Sequence, residues 1–306
     1  MLGVNVIEQL ENQILNTSTI KQSELILNED GSVYHLHLKP ENISDTIIFV
    51  GDQYRVEKIT KYFDTIEFKT QKREFKTITG TYKSKRITVL STGIGPDNID
   101  IVLNELDALV NIDLITRKPK ENLTSLNIIR VGTSGALQKD IPIDSFVIST
   151  HGLDLNGMLH SYQVDSINNK DIEDAFVEHT GWNQDKARPI VINCSFELEE
   201  RFDSAAVCRG LTATAVGFYG PQGRVLRLPL QDNSLNNKMD TFDFKGMRIA
   251  NFEMETSAIY GLSKLLGHNA ISLSAILANR ANGTFSKNPE KVIEGLIRYV
   301  LEKIIQ

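Results

Sequence analysis

Two carboxylates, Glu253 and Glu255, stand in segment 251–258, where an apolar strand gives way to a helix. In an open α/β sheet this edge is where ligands bind, because helix amino ends and loops converge there. The two acids are therefore candidates for ligand binding. The alternative is that both cap the helix, since carboxylates are favoured near the positive end of the helix dipole. These eight residues alone leave both interpretations open.

A glycine-containing turn at 51–55 follows the first apolar strand and precedes a helix. Glycine lets backbone N–H groups approach an anion, and Arg55 adds a guanidinium. The simpler alternative is a common turn in which Asp52 caps the helix. A second turn, 91–96, contains two glycines but lacks the third glycine of a dinucleotide fingerprint. It therefore does not favour a Rossmann cofactor site.

Segment 130–136 ends a third strand in small residues and suggests two chemistries. Its spacing approximates a nucleophile elbow, which would make Ser134 a hydrolase serine. That elbow must run directly into a helix, whereas 137–143 is typical of a turn before another strand. The other chemistry is an anion site, in which Thr133 and Ser134 donate beside Arg130. We favour the anion site, because Arg130 would be costly to bury without a ligand or a carboxylate.

Further candidates lie in loops at the same predicted edge. Phe218, Gln222 and Arg224 supply an aromatic ring, an amide and a guanidinium, which suit the face and the edge of a planar base. An ordinary surface turn is the alternative. Arg280 ends the last apolar strand, where it is either a pocket group or half of a salt bridge. His35 lies in an alternating stretch and by default is a structural histidine.

The elements that must position these residues alternate in type from residue 46 onward. Apolar runs of strand length precede helical patterns, which is typical of a mostly parallel sheet covered by helices. Residues 1–30 are predicted to be an extension, with apolar residues at helical spacing before a turn signal. Two polar segments, 116–127 and 231–243, are predicted to be surface loops or insertions. The strand–helix pairs are 46–50 with 54–63, 87–91 with 97–110, 248–252 with 256–266, and 270–278 with 289–305.

The composition excludes several classes of protein. A chain of 306 residues with 41% hydrophobic and 24% charged residues is typical of a soluble globular protein. Its net charge of −6 argues against nucleic acid as a partner, although a few arginines can still bind a small anion. The two cysteines form no disulfide framework or zinc motif. Neither a signal peptide nor a membrane-length apolar run is indicated, so we expect a cytoplasmic protein without a membrane partner.

Five of these segments occur in an order that resembles the nucleoside phosphorylase superfamily of the trimer-or-hexamer type. The similarity runs from about residue 34 to the carboxyl end and leaves out residues 1–30 and both polar segments. It implies one α/β domain over residues 31–306, with a mostly parallel, twisted and partly barrel-like central sheet flanked by helices, as in nucleoside phosphorylases and hydrolases. The segments are 51–59, 91–95, 130–138, 218–224 and 251–258.

The activity that the resemblance implies is phosphorolysis, in which inorganic phosphate attacks the anomeric carbon of a ribonucleoside and releases the base. Phosphate is a co-substrate, and the resemblance implies no cofactor or metal beyond a monovalent cation near Glu74 and Ile94. It also implies a homo-oligomer of dimers with shared active sites, in which His35 and Arg73 reach the neighbouring subunit's site. By the same resemblance, Gly51, Arg55, Arg73, Arg130 and Thr133 hold phosphate, His35, Met254 and Glu255 hold ribose, and Phe218, Gln222, Arg224 and Arg280 hold the base. The catalytic groups are Arg130, Glu255, Gln222 and Arg224.

The residues after the last strand also bear on which base is cleaved. Purine-cleaving relatives protonate the base with an aspartate after the last strand, whereas residues 278–280 read Ala-Asn-Arg. A pyrimidine can leave as a hydrogen-bonded anion, which Gln222 and Arg224 would stabilise. We therefore expect uridine as substrate. The alternatives are a purine-nucleoside phosphorylase, a phosphate-independent nucleosidase and a non-catalytic nucleoside-binding protein.

Overall fold

Strands and helices alternate along residues 19–306, the part of the chain that the computed structural model describes. The helical pattern predicted near the amino terminus falls on residues outside this range. The strands are β1 (Thr46–Val50), β2 (Thr65–Lys72), β3 (Phe75–Tyr82), β4 (Lys85–Ser91), β5 (Ile112–Asp113), β6 (Lys118–Pro119), β7 (Asn127–Ala136), β8 (Phe146–Asp154), β9 (Ile190–Asn193), β10 (Val207–Thr214), β11 (Asp243–Phe244), β12 (Met247–Glu253), β13 (Asn269–Asn279) and β14 (Thr284–Phe285). The α-helices are Gln53–Thr60, Pro96–Asn111, Lys170–Thr180, Phe196–Phe202, Leu235–Thr241, Thr256–Leu265 and Pro289–Ile304.

Five strands close into a small barrel at the centre of the molecule. Their order is β12, β10, β8, β13, β7, and β7 pairs back onto β12 through Gly135 and Ala136. Past β7, the sheet continues as an open extension through β1, β4, β3 and β2. The pairs β7–β13, β8–β10, β10–β12, β1–β7 and β1–β4 are parallel. The predicted α/β fold with a mostly parallel, partly barrel-like sheet is confirmed.

Burial on both faces explains why the central strands are continuous apolar runs. All five residues of β1 are buried, as expected for a parallel strand that helices cover. On one side of the sheet, helix Pro289–Ile304 presents an apolar stripe that packs against Ile271 and Leu273 of β13. This packing fixes the carboxyl ends of the strands, from which the candidate site is built. The buried stripe consists of Val292, Ile293, Leu296, Ile297, Val300, Leu301 and Ile304.

The two polar segments differ from each other in the structure. In segment 116–127, residues 116–125 form a largely exposed connection apart from the short strand β6, as predicted, whereas Leu126 is buried and Asn127 begins β7. The prediction of a loop over 231–243 is wrong, because Leu235–Thr241 is a helix. Leu235 and Met239 are buried and pack with Phe242 in one apolar cluster. These three residues are spaced four and three apart, a helical pattern that the surrounding asparagines concealed.

The burial of this short helix gives a test of the corrected assignment. Met239 has no exposed surface, so Met239→Ala should lower the free energy of unfolding by about 2–5 kcal/mol through lost apolar burial and a residual cavity. Urea unfolding followed by circular dichroism measures the change. Asn237→Ala, at an exposed position of the same helix, is the matched control and should change little. Equal stability of the two variants would contradict a packed helix here.

Candidate active site

A cavity of about 620 Å³ opens where β1, β7, β12 and β13 approach their carboxyl ends. It brings together nine of the twelve residues that the resemblance assigns to phosphate, ribose and base, and it leaves out His35, Arg73 and Arg280. The nine are Gly51, Arg55, Thr133, Arg130, Met254, Glu255, Phe218, Gln222 and Arg224.

A second cavity of similar size, about 640 Å³, is a weaker candidate for a charged ligand. Its two guanidiniums are already neutralised by carboxylates. Arg209 pairs with Glu199 and with Asp203, and Arg248 pairs with Asp140 at 2.7 Å. The cavity between β7 and β12 is different, because two of the three guanidiniums that line it, Arg55 and Arg224, form no salt bridge with a carboxylate among the described residues.

Arg130 is a buried cation held between two carboxylates. Its Nη2 lies 2.5 Å from Glu255 Oε2 and 3.2 Å from Glu253 Oε2. Burial opposes the charge of Arg130, but the two carboxylates outweigh burial and raise the pKa of the guanidinium. Arg130 Nη1 is buried and has no hydrogen-bond partner among the residues described. A buried donor of this kind is costly unless a ligand accepts from it.

Gly132 creates the space that the Arg130 guanidinium occupies. A Cβ atom at position 132 would lie 1.9 Å from Arg130 Nη1 and 2.6 Å from its Cζ. Real Cβ atoms do not approach other atoms this closely, so any larger residue would displace the guanidinium. The glycine in this segment therefore serves a close approach between side chain and backbone.

A second guanidinium, that of Arg55, reaches the same cavity. Arg55 Nη1 donates to the Val131 carbonyl at 3.2 Å. Burial and the nearby charge of Arg130 lower the pKa of Arg55. An anion between the two side chains would relieve this repulsion, and a phosphate offers both of them acceptor oxygens. The alternative interpretation of this turn, in which Asp52 caps the helix, is also confirmed. Asp52 Oδ1 accepts a hydrogen bond from the Tyr54 amide at 2.9 Å.

The two glutamates that follow β12 have different tasks. Glu253 acts as a helix cap, because its carboxylate accepts from the backbone amides of Glu255 and Thr256 and from Thr214 Oγ1. Glu255 lines the cavity, pairs with Arg130 and accepts from the Gly95 amide at 2.9 Å. Burial raises the pKa of Glu255, while Arg130 and the Gly95 amide oppose that rise. Both glutamates line the cavity, but only Glu253 uses its carboxylate to cap the helix.

The opposite end of the cavity holds an aromatic ring, an amide and a guanidinium. Arg224 Nη1 donates to Gln222 Oε1 at 2.6 Å, and its guanidinium stacks 3.8 Å from the centre of the Phe218 ring. Gln222 is 2% exposed. Since a guanidinium can only donate, the Gln222 atom that faces it must be the oxygen. The Gln222 amide hydrogens are therefore available to a ligand.

Arg280 stands behind this end of the cavity. Its Nη2 donates to the Gln222 carbonyl at 2.6 Å, so it supports the loop that carries Gln222. Burial and the neighbouring Arg224 charge lower the pKa of Arg280 to about 10. The sequence allowed Arg280 to be a pocket group or half of a salt bridge. The structure shows neither role, because Arg280 does not line the cavity and pairs with no carboxylate among the residues described.

His35 and Arg73 lie away from the cavity of their own chain. His35 Nδ1 lies 2.6 Å from Glu105 Oε1, and the same carboxylate accepts from the His35 and Leu36 amides. Glu105 thereby fixes the ring and leaves Nε2 pointing elsewhere. Arg73 is exposed at the turn between β2 and β3.

Ser134 does not have the surroundings of a hydrolase nucleophile. The chain continues as β7 through Ala136, and residues 137–145 then turn toward β8, as predicted. Ser134 Oγ accepts from Asn251 Nδ2 at 2.8 Å, and no histidine contacts it in the described part of the chain. A nucleophile elbow is therefore excluded.

Several contacts at the site were not predicted from the sequence, although Gly95 and Ile94 lie in a segment that carries the resemblance. The Gly95 amide reaches Glu255 only because the turn after β4 folds over the cavity. Phe285 lines the cavity although it is 74% exposed, and Ile94 does so at 67%. Among the described residues, no three His, Cys, Asp or Glu side chains gather as a metal site. The monovalent cation near Glu74 and Ile94 stays a prediction.

The fold and this cavity define an α/β protein in which two guanidiniums and a buried carboxylate line one cavity, an arrangement that suits an anionic substrate. The chain belongs to the phosphorylase superfamily, because a sequence model of that superfamily matches residues 45–302. It is a glycosyltransferase of the pentosyltransferase class. No helix in the described range is both long and apolar enough to cross a bilayer.

Relatives and solved structures agree with this assignment. A uridine phosphorylase of Thermococcus kodakarensis is 30% identical over 263 residues, which cover 86% of this chain and 83% of the relative. A purine nucleoside phosphorylase of Bacillus subtilis is 24% identical and covers 89% of this chain and 99% of its own length. A nucleoside phosphorylase of Trypanosoma brucei, described as showing uridine phosphorylase activity, superposes with a TM-score of 0.83 at 27% identity. That comparison covers 92% of this chain and 99% of the other.

The close contact at Gly132 gives a test of the anion site. Gly132→Ala should push the Arg130 guanidinium aside and weaken the binding of inorganic phosphate about tenfold or more, since charged hydrogen bonds are lost. Isothermal titration with phosphate measures the affinity. Gly295→Ala, which adds the same methyl group against the Phe146 ring in a distant helix, should leave phosphate binding unchanged. Unaltered affinity in Gly132→Ala would argue that Arg130 does not hold the anion.

Proposed function

We propose that the protein catalyses phosphorolysis of a pyrimidine ribonucleoside, converting uridine and phosphate to uracil and ribose 1-phosphate. One observation carries the proposal. A single cavity contains two guanidiniums near one another, Arg55 and Arg130, a buried carboxylate at Glu255, and the amide–guanidinium pair of Gln222 and Arg224. The Thermococcus and Trypanosoma relatives support the same reaction.

The arrangement suits a transition state in which the glycosidic bond is largely broken. Positive charge develops on the ribose and negative charge on the leaving base, so preorganised groups of the opposite sign lower the barrier. Phosphate held by Arg55 and Arg130 attacks the anomeric carbon from one side. Glu255 holds the ribose hydroxyls and, as an anion, favours the cationic sugar, with Met254 beside it, while Thr133 belongs to the phosphate site. The base leaves toward Gln222 and Arg224, so no covalent enzyme intermediate is required.

The charges at the base end favour a pyrimidine over a purine. No carboxylic acid lies at this end among the described residues, since the acids that line the cavity are Asp52, Glu253 and Glu255. A purine leaving group would need a proton from such an acid. Uracil can leave as an anion that Arg224 and the Gln222 amide stabilise, and the charge of Arg280 adds to this field. A nucleosidase that uses water instead of phosphate would not need the two guanidiniums of Arg55 and Arg130.

We also propose that two subunits complete each site. His35 and Arg73 do not line the cavity of their own chain and, unlike Arg280, form no hydrogen bond with a lining residue among those described. Both have exposed surface from which they can reach a neighbour. In this arrangement Arg73 adds to the phosphate site and His35 Nε2 faces the ribose 5′-hydroxyl. The cation near Glu74 would lie at the same junction. Cys194 and Cys208 are unpaired, in keeping with the cytoplasmic location that we propose.

The proposed reaction is tested by the dependence of uracil release on phosphate. Uridine should release uracil with phosphate and not without it, while thymidine, cytidine and inosine set the base and sugar preference. Glu255→Gln and Arg130→Ala should each lower kcat/KM by about a hundredfold or more, because each removes a charge that acts at the transition state. Chromatography measures the free base that is released from each of the four substrates. Glu178→Gln, on an exposed helix position, is the control for loss of a carboxylate.

Two outcomes of this assay would replace the proposal. Equal uracil release with and without phosphate would indicate a nucleosidase. Release from inosine but not from uridine would indicate a purine phosphorylase.

The shared site predicts complementation between two inactive variants. When Arg73→Ala and Arg130→Ala chains are co-expressed, half of the dimers are mixed and each mixed dimer regains one intact site, or about a quarter of the unchanged activity. The measurement is uridine phosphorolysis per total subunit. Co-expressed Arg55→Ala and Arg130→Ala chains are the control, because both residues line one chain's cavity and no site is restored. Recovery in the control but not in the test pair would contradict sharing.

A further inference from the structure

Four polar side chains form a hydrogen-bonded row across the neighbouring strands β8, β10, β12 and β7. Ser149 Oγ lies 2.5 Å from Thr212 Oγ1, which lies 2.7 Å from Asn251 Oδ1. Asn251 Nδ2 lies 2.8 Å from Ser134 Oγ. Ser149, Thr212 and Asn251 are 0% exposed, whereas Ser134 lines the cavity. The row therefore connects the closed interior of the barrel to the wall of the site.

The direction of donation along this row follows from its buried end. If Ser134 donated to Asn251 and every proton pointed inward, the Ser149 hydroxyl would have no acceptor in the described part of the chain. Such an unmade bond costs about 1–3 kcal/mol. If Ser149 donates to Thr212, Thr212 to Asn251 Oδ1, and the Asn251 amide to Ser134, both buried hydroxyls have an acceptor. The Ser134 hydroxyl hydrogen is then left to point into the cavity.

The neighbours of Ser134 along β7 indicate where in the cavity this hydroxyl lies. The preceding residue, Thr133, lines the same cavity and is one of the residues that we assign to phosphate. A Cβ atom on the next residue, Gly135, would lie 3.7 Å from Arg280 Cγ, and the Arg280 guanidinium donates to the Gln222 carbonyl. Ser134 thus lies between the anion end and the base end of the cavity.

We propose that Asn251 and Thr212 are positioning residues that aim the Ser134 hydroxyl at a carbonyl oxygen of the pyrimidine. This inference rests on the proposed function. As the base departs, negative charge spreads onto its carbonyl oxygens, so the hydrogen bond strengthens in the transition state. Its loss should therefore lower kcat more than it raises KM.

The test uses variants that reverse or remove the donor. Ser134→Ala removes the hydroxyl, and Asn251→Asp replaces a donating amide by a carboxylate that only accepts, so the Ser134 hydrogen turns away from the cavity. Each should lower kcat for uridine about tenfold. The double variant should be no slower than Ser134→Ala alone, because both changes remove one interaction. Thr212→Val removes the hydroxyl that orients the Asn251 amide and buries no charge, so it should also lower kcat. It replaces Asn251→Asp in the test if that variant fails to fold.

Thio-substituted substrates distinguish a lost hydrogen bond to the base from a general disturbance of the active site. Sulfur accepts hydrogen bonds weakly, so the ratio of unchanged to Ser134→Ala rates should approach one for either 2-thiouridine or 4-thiouridine. Whichever analogue does so identifies the oxygen that Ser134 contacts. Ser263→Ala is the control, since Ser263 is a buried helix serine whose hydroxyl has no partner among the described residues. Its kcat should not change.

The inference and the proposed function can fail separately. Ser134→Ala with kcat within about twofold of the unchanged protein, or a further loss from Asn251→Asp in the Ser134→Ala background, would overturn the positioning role. If the unchanged protein releases no uracil with phosphate, the proposed function fails, and calorimetric binding of uracil itself decides the inference. Weaker uracil binding in Ser134→Ala and Asn251→Asp supports it, and equal or absent binding in all the proteins overturns it.

Discussion

The buried charge of Arg130 is the constraint on which the rest of the site depends. Removing one partner from a buried ion pair typically costs about 3–5 kcal/mol, so this guanidinium requires its carboxylates. Glu253 and Glu255 can reach it only because β7 pairs with β12 and closes the barrel. Gly132 provides the necessary space. The buried charge of Arg130 is therefore accommodated by three features together: closure of the barrel, the glycine at position 132 and the two carboxylates.

The same constraint separates the cavity into two ends of different character. At one end, Glu255 is tied to Arg130 and to the Gly95 amide, while Arg55 adds a second cation. At the other end, Arg224 has Gln222 and Phe218 as neighbours and no carboxylate among the described residues. A substrate that spans the cavity therefore meets an end that we propose binds the anion and an end that we propose binds the base. This polarity matches a reaction that separates charge along the breaking bond.

The sequence predicted the alternation of elements and the strand ends that carry the site, because local apolar patterns and glycine turns determine both. It could not assign Glu253 and Glu255 to different roles, since a two-residue spacing near a helix start allows either to cap. The helix Leu235–Thr241 was hidden by its asparagines. The contact of Arg280 with the Gln222 carbonyl depends on packing between segments 58 residues apart. Such long-range contacts leave no trace in local pattern.

The central claim is that phosphate, gathered by Arg55 and Arg130, becomes bonded to the sugar as the base departs. Phosphorus-31 NMR of the protein with uridine and inorganic phosphate observes this bond directly. The account predicts a new phosphate-ester signal of ribose 1-phosphate that grows in equal amount with free uracil. Uracil that appears with free ribose, while the inorganic phosphate signal stays constant, would contradict it.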